Sequence, residues 1–207
     1  MAGKREIEDY DRILVVEGHS DLGFYAEVLE ALGAHEKVFI KELGGKTVTK
    51  EALETLVSPG LLASKSAIAF IFDADSAPEA TRNLLQNHLS RITDQQVVDG
   101  QWSGGKPNIG LFVVPGGNQI GEIETLVWDS WASDAANAAQ RQCVEGYIDC
   151  MKTANATAHS PAKGLIGALL AVKNDEDPRL GPGARGNVFN LERPELQKLR
   201  EFLSGLA

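Results

Sequence analysis

Cysteine, histidine and long apolar runs are all scarce in this chain of 207 residues. It has two cysteines and four scattered histidines, so no Cys/His zinc cluster is apparent. Cys143 and Cys150 lie two helical turns apart in a stretch predicted to be helical. Their separation of about 10 Å is too long for a disulfide. We therefore expect both thiols to be reduced and to serve as packing residues.

Basic residues are also few, since 20 Lys and Arg stand against 29 Asp and Glu, a net charge of −9. This balance counts against a simple DNA-binding module, because a basic footprint over the whole domain is absent. It leaves open an enzyme that holds cations and meets DNA through a local patch or a partner. No apolar run approaches the roughly 20 residues of a membrane span, and residues 1–12 lack the apolar segment of a signal peptide. We expect a cytoplasmic protein without membrane contacts.

Strand and helix patterns alternate along the chain, as they do in a mostly parallel sheet with helices on both faces. We predict one α/β domain over residues 1–207, with a Rossmann-like core at about 10–132 and a helical extension at about 133–207. Apolar runs predict strands at 12–17, 37–43, 67–75 and 109–115. Helical spacing predicts helices from Asp21 to Gly33 and at 48–57, 78–92, 134–154, 161–173 and 192–206. The "SPG" at 58–60 is expected to end a helix, 94–108 to form a hairpin or excursion, and 174–187 to be a long loop.

Acidic residues follow three of these strands at their carboxyl ends, where ligands bind in such folds. Glu17 ends the first strand, and Asp73 and Asp75 end the third. Alternation along a strand would place both aspartates on one side, where they repel each other unless a proton or cation lies between them. Mg²⁺, which takes carboxylate oxygens, waters and substrate phosphates, is the natural solution. Glu124 would begin a helix after the fourth strand and point to the same edge.

Simpler explanations exist for each acid taken alone. Asp21 is equally well explained as a cap of the helix that it begins. For Glu122, a surface glutamate is the favoured interpretation. The joint pattern of Glu-Gly, Asp-x-Asp and Gly-x-x-Glu at three strand ends is much harder to obtain by chance.

The motifs "VVEGHSD" (15–21) and "FIFDAD" (70–75) resemble those of the Toprim domain, the fold shared by topoisomerases, bacterial-type primases and the overcoming-lysogenisation-defect (OLD) nucleases. Ala77 stands where the topoisomerase motif has a glycine, so the chain is more similar to small stand-alone Toprim proteins related to the OLD nucleases. The segments "FVVPGGNQIGEIETLV", "HSPAKGLIGALLAV" and "ERPELQKLREFL" are similar to that group as well, so the resemblance covers nearly the whole chain.

The resemblance implies a Mg²⁺- or Mn²⁺-dependent endonuclease that acts on DNA, in DNA repair or in phage defence. It implies that Gly18 allows a tight turn beside Glu17 and that Lys163 is the late basic residue near the phosphate, although an ordinary helix-start lysine explains Lys163 equally well. It assigns catalysis to Glu17, Asp73 and Lys163. The implied metal ligands are Glu17, Asp21, Asp73, Asp75 and Glu124. Five acids exceed the needs of one Mg²⁺ and suit two ions about 4 Å apart.

Two other functions remain open. The acidic site could belong to a non-catalytic module that regulates a partner, which the net acidity favours. It could also serve a small-molecule phosphatase or phosphotransferase, although Ser76 and Ala77 depart from the x-Asp-x-Thr pattern of aspartate-nucleophile phosphatases. The expected partners are DNA and either a second copy of the chain or another protein.

Two glycine-rich turns have some of the features of phosphate-binding sites. Gly116 and Gly117 would present backbone N–H groups at a helix start, but glycines that simply need a positive φ are the simpler explanation. "GGKT" at 44–47 fails the P-loop pattern because Ile40 stands where a glycine is required. Arg179, Arg185 and Arg193 form the one plausible basic strip, although Asp175, Glu176 and Asp177 accompany them.

Overall fold

The central feature of the protein is a five-stranded sheet of order β2-β1-β3-β5-β4. The computed structural model describes residues 6–44, 53–54, 57–156 and 160–207. Its strands are β1 (Arg12–Val16), β2 (Val38–Glu42), β3 (Ala67–Asp73), β4 (Gln101–Trp102) and β5 (Asn108–Val114). All neighbours are parallel except β4, which pairs antiparallel with β5 at the edge. The predicted α/β class is confirmed.

Eight helices surround the sheet in the described part of the chain. They are α1 (His19–Ala31), α2 (Pro59–Ser64), α3 (Pro78–Thr93), α4 (Ile123–Ala132), α5 (Ala138–Thr153), α6 (Pro161–Lys173), α7 (Leu180–Arg185) and α8 (Gln197–Ser204). Short 3₁₀ turns lie at Ile7–Asp9, His35–Lys37, Ala135–Asn137 and Pro194–Leu196. No helix within the described ranges is long and apolar enough to cross a membrane.

Both faces of the sheet are buried, which explains why its strands are apolar at successive positions. Side chains alternate across each strand, so Leu14, Val16 and Ile71 pack with α1, α4, α6, α7 and α8. On the opposite face, Val15, Phe70 and Phe72 pack with Leu85 and Leu89 of α3. The C-terminal helices thus share a hydrophobic cluster with the sheet.

The strand register brings the predicted acidic edge together. Val16 lies opposite Ile71, and Asp73 lies opposite Val114. The carboxyl ends of β1, β3 and β5 therefore reach the same level, and the segments that follow them emerge side by side.

The "SPG" segment begins α2, since the Ser58 hydroxyl accepts from the N–H of Leu61 at 3.4 Å, and the preceding Val57 is a turn residue. Two sequence expectations are wrong. The predicted loop 174–187 contains α7, whose Gly181 lies closely against Gly23 of α1. Cys143 and Cys150 are free and exposed on α5, so they are not packing residues. The turn at 44–47 and the helix at 48–57 fall largely outside the described residues.

The contact between α1 and α7 depends on two facing glycines. A Cβ added at Gly181 would lie 2.7 Å from the Gly23 Cα, which is backbone and cannot swing aside. We expect Gly181→Ala to destabilise the protein by about 1–3 kcal/mol, as overpacking does. Gly146, exposed on α5 with nothing near its Cβ position, provides the control. Gly146→Ala should stabilise slightly, by about 0.5–1 kcal/mol. Urea unfolding measures both, and equal stabilities would contradict the packing argument.

Candidate metal and phosphate site

Asp73 stands at the centre of the site, at the carboxyl end of β3. Its Oδ1 accepts a hydrogen bond of 3.1 Å from the backbone N–H of Ile123, the first residue of α4. A carboxylate is favoured there because the first N–H groups of a helix are unpaired and its dipole is positive at that end. The sequence prediction placed Asp73 correctly at this edge.

Asp21 approaches from α1 and is buried, with 7% of its surface exposed. Its Oδ2 accepts from the Gly18 N–H at 3.1 Å and its Oδ1 from the Ser20 hydroxyl at 2.9 Å. Asp21 is thus the capping acid that the simpler explanation required, and it also lies near Asp73. Gly18 has φ −127° and ψ 164°, a conformation open to any residue, so the expected tight turn is wrong.

Glu17 and Asp75 lie on the other side of Asp73. The strand ends at Asp73, and Asp75 has φ 50° and pairs through its backbone with Gly121. The predicted extension of the strand to Asp75 is therefore wrong, and alternation does not align the two aspartates. Even so, half-buried Glu17, Asp73 and exposed Asp75 line one cleft of about 290 Å³.

Two glutamates enter from the start of α4. Glu124 is 5% exposed, and its buried Oε2 has no hydrogen-bond partner. Glu122, treated above as a surface residue, is 8% exposed. It accepts a hydrogen bond from the Ser160 hydroxyl. The surface interpretation of Glu122 is wrong. The sequence held no clear signal, because only the fold brings Ser160 to it.

Lys163 supplies the nearest cation. It is the third residue of α6, and its N–H donates at 3.2 Å to the Ser160 hydroxyl, which caps that helix. Its Nζ lies 3.0 Å from Glu122 Oε2 and 3.9 Å from Glu124 Oε1. Burial alone would lower the pKa of Lys163, but Glu124 and Glu122 outweigh burial and raise it. The lysine therefore stays charged.

One ammonium does not balance the acids around it. Burial, reinforced by Asp21, Glu17 and Glu124, raises the pKa of Asp73 to about 9. Burial raises the pKa of Glu124 to about 7, although Lys163 opposes this. Burial also raises the pKa values of Glu17 and Asp21. Tyr25, fully buried beneath these acids, has its pKa raised well above the usual value by burial and by Asp73. The cluster therefore favours a bound proton or cation.

The carboxylate oxygens of this cluster suit a hard cation, but they do not form a complete coordination shell. In the described part of the chain, no group of three or more His, Cys, Asp or Glu side chains is arranged to hold a metal ion. Mg²⁺ often takes only one or two carboxylates and completes its shell with waters and substrate phosphates. The unpartnered Oε2 of Glu124 and the carboxylate of Asp73 are the groups that such an ion would contact.

The glycine turn after β5 has the backbone that its residues suggest. Gly116 and Gly117 have φ of 113° and 58°, which only glycine adopts readily. Arg82 of α3, a residue that the sequence analysis did not single out, donates to the Gly117 carbonyl and lies 2.9 Å from Asp99. The conformation accounts for these glycines without a phosphate.

The predicted basic strip is neutralised by neighbouring acids. Arg179 pairs with Asp177, Arg185 with Glu27, and Arg193 with Asp134 and Glu195. The remaining residues that line the Glu17 cleft include no lysine or arginine among those the structure describes. A basic path to the site is therefore not provided by these residues.

A family model described as "Protein of unknown function (DUF3226)" matches residues 11–207 of the chain. No curated protein and no solved structure matches the chain.

We expect the stability of the cation-free protein to fall as the pH rises. Asp73 and Glu124 keep protons in the folded state up to pKa values of about 9 and 7, whereas their ordinary values are 3.8 and 4.5. Over this interval the folded state binds more protons than the unfolded state, so each pH increment favours unfolding. Melting temperatures measured in a chelator between about pH 5 and 9 test this. Asp73→Asn should flatten the dependence, and an unchanged slope in that variant would contradict the assignment.

Proposed function

The chain belongs to this DUF3226 family, and we propose from its site that it is a divalent-cation-dependent endonuclease that cleaves DNA phosphodiester bonds. The observation that carries the proposal is the convergence of Glu17, Asp21 and Glu124 on Asp73. Burial, reinforced by these neighbouring acids, raises the pKa of Asp73 to about 9. The Toprim resemblance of "VVEGHSD" and "FIFDAD" supports the same chemistry and an origin in DNA repair or phage defence.

The acids that surround Asp73 would hold Mg²⁺ or Mn²⁺. Asp21 and Glu124 flank Asp73 from α1 and α4, whereas Glu17 and Asp75 flank it from the cleft. The bound ion would supply charge neutralisation at the phosphate and lower the pKa of a water molecule. The carboxylates themselves orient that ion and keep it at the carboxyl edge of the sheet.

In this proposal Glu17 accepts a proton. It is half-buried, its pKa is raised, and it lines the open cleft beside Asp75. In the proposed reaction, a water oxygen forms a bond to phosphorus while its proton passes to Glu17, and the bond from phosphorus to the leaving sugar oxygen breaks. The leaving oxygen keeps the electron pair of that bond and takes a proton from solvent water. A carboxylate with a raised pKa suits this task because its proton affinity lies nearer the working pH.

In this proposal Lys163 binds the negative charge of the substrate. In the present arrangement, its ammonium is held by Glu122 at 3.0 Å. Charge neutralisation of Glu124 would leave Lys163 free to donate to a phosphate oxygen as well. Glu122 and Ser160 act as positioning residues, since they fix the start of α6 against α4.

Supercoiled plasmid nicking tests the nuclease directly. With Mg²⁺ and separately Mn²⁺, the wild type should nick, and chelator should abolish the reaction. Glu17→Gln and Asp73→Asn should each lose about a hundredfold or more, the size of a general-base or charge contribution. Asp149→Asn is the matched control, because Asp149 is exposed on α5 and pairs only with Lys152 among the described contacts. Equal rates in all four proteins would overturn the proposal.

The paired arginines and the cleft without basic lining favour a second candidate. In this candidate the same acids hold a cation, and the protein regulates a partner or binds a small phosphorylated ligand. The wild type would then not nick DNA, while Mg²⁺ would still raise its melting temperature and Asp73→Asn would lose that rise.

A further inference from the structure

A groove of about 700 Å³ runs between α4 and α6, beside the carboxylate site. We call it the α4–α6 groove. Asp75 lines both this groove and the Glu17 cleft, and Glu122 lines the groove while contacting Lys163. The groove is therefore continuous with the proposed centre. Its volume lies in the range of sites that enclose small organic groups.

The walls of the groove are apolar although its surroundings are charged. Trp128 of α4, Ala162 and Leu165 of α6, and Ile120 of the preceding loop line it. Ile120 is 62% exposed, and burying such a large apolar side chain against a ligand is favourable. We therefore expect a flat or apolar chemical group to bind between these walls.

The groove is lined by three carboxylates and three hydroxyls, those of Asp75, Glu122 and Asp129 and of Ser76, Thr125 and Ser160. The amide of Gln119 donates to Asp129 Oδ2 at 2.8 Å. No lysine or arginine occurs among the described residues that line it. Carboxylates repel a phosphate, but they accept hydrogen bonds from amino groups. An uncharged ring with an exocyclic amino group combines the apolar faces and the donors that the groove would satisfy.

We propose that the α4–α6 groove takes one unstacked nucleobase next to the scissile phosphate. This inference rests on the proposed nuclease function and names the feature of the strand that the enzyme grips. Bases are commonly recognised outside the helix by contact with apolar walls and by hydrogen bonds to their edges. The apolar contact would offset the absence of lysine and arginine from the described residues that line this groove and the Glu17 cleft.

The neighbouring groove between α5 and α6 offers an internal control. It is lined by Lys163, Lys152 and Ala168, so its charge differs and it lies along another part of α6. Ala162 and Ala168 are both half-buried alanines of α6, one in each groove. Phenylalanine at either position fills one groove while changing the same helix in the same way.

The test measures binding separately from cleavage. Labelled single-stranded DNA is titrated with the full-length protein in Ca²⁺, and a set of oligonucleotides carries one abasic site at successive positions. For the wild type, one position should weaken binding about tenfold, as loss of a stacked base does. Ala162→Phe should bind all oligonucleotides alike and weakly, and Ala168→Phe should behave as the wild type. Because Ala162 adjoins Lys163, Ile120→Ala is measured too, with exposed Val172→Ala as its control. It should lose part of the discrimination.

The outcomes separate the base site from the nuclease. Nicking by the wild type with no abasic-sensitive position, or with the same sensitivity in Ala162→Phe, overturns the base site and leaves the nuclease standing. An abasic-sensitive position that Ala162→Phe abolishes, without any nicking, supports the base site and overturns the nuclease. A groove that takes an apolar peptide would leave all oligonucleotides equally bound, which also overturns the proposal.

Discussion

The carboxylate of Asp73 is the constraint around which the rest of the site is arranged. The hydrogen bond from the Ile123 N–H links it to the start of α4 and so joins the end of β3 to that helix. Asp21 and Glu124 are buried nearby because the helices that carry them begin at the same edge of the sheet. Each helix start favours an acid on its own account. Where these carboxylates converge, they repel one another, and the arrangement is unfavourable unless a positive charge lies among them.

Lys163 neutralises only part of the negative charge of these carboxylates. Its Nζ lies 3.0 Å from Glu122 Oε2 and 3.9 Å from Glu124 Oε1. The pair is open to solvent on the lysine side, because the Lys163 side chain is 44% exposed whereas that of Glu122 is 10% exposed. Here the pair also anchors α6, because Ser160 bonds both Glu122 and the start of that helix. A rearrangement of Glu122 would therefore also shift α6 and the residues of α6 that line the groove.

Sequence reasoning succeeded where one segment contains the whole signal. The buried strands β1, β3 and β5 and the helix Pro161–Lys173 could be predicted because their apolar period and end signals are local. It failed where the reason lies elsewhere in the chain. The glycines of α7 look like a loop until Gly23 is seen opposite Gly181. Glu122 looks like a surface residue until Ser160 and Lys163 cover it. Asp75 lies beyond the end of β3, where its backbone pairs with that of Gly121 instead.

The net charge of −9 shapes how any nucleic acid could be bound. Counterion release from phosphates usually supplies much of the affinity for DNA, and it requires lysines and arginines. Arg179, Arg185 and Arg193 are already neutralised by acids. A strand that approaches Asp73 would therefore need the cation for attraction as well as for chemistry. Under that condition metal binding must precede substrate binding, and sequence-independent affinity should be low without it. Contacts to a base rather than to phosphates then become the available source of additional affinity, which is what an apolar groove beside an acidic centre can provide.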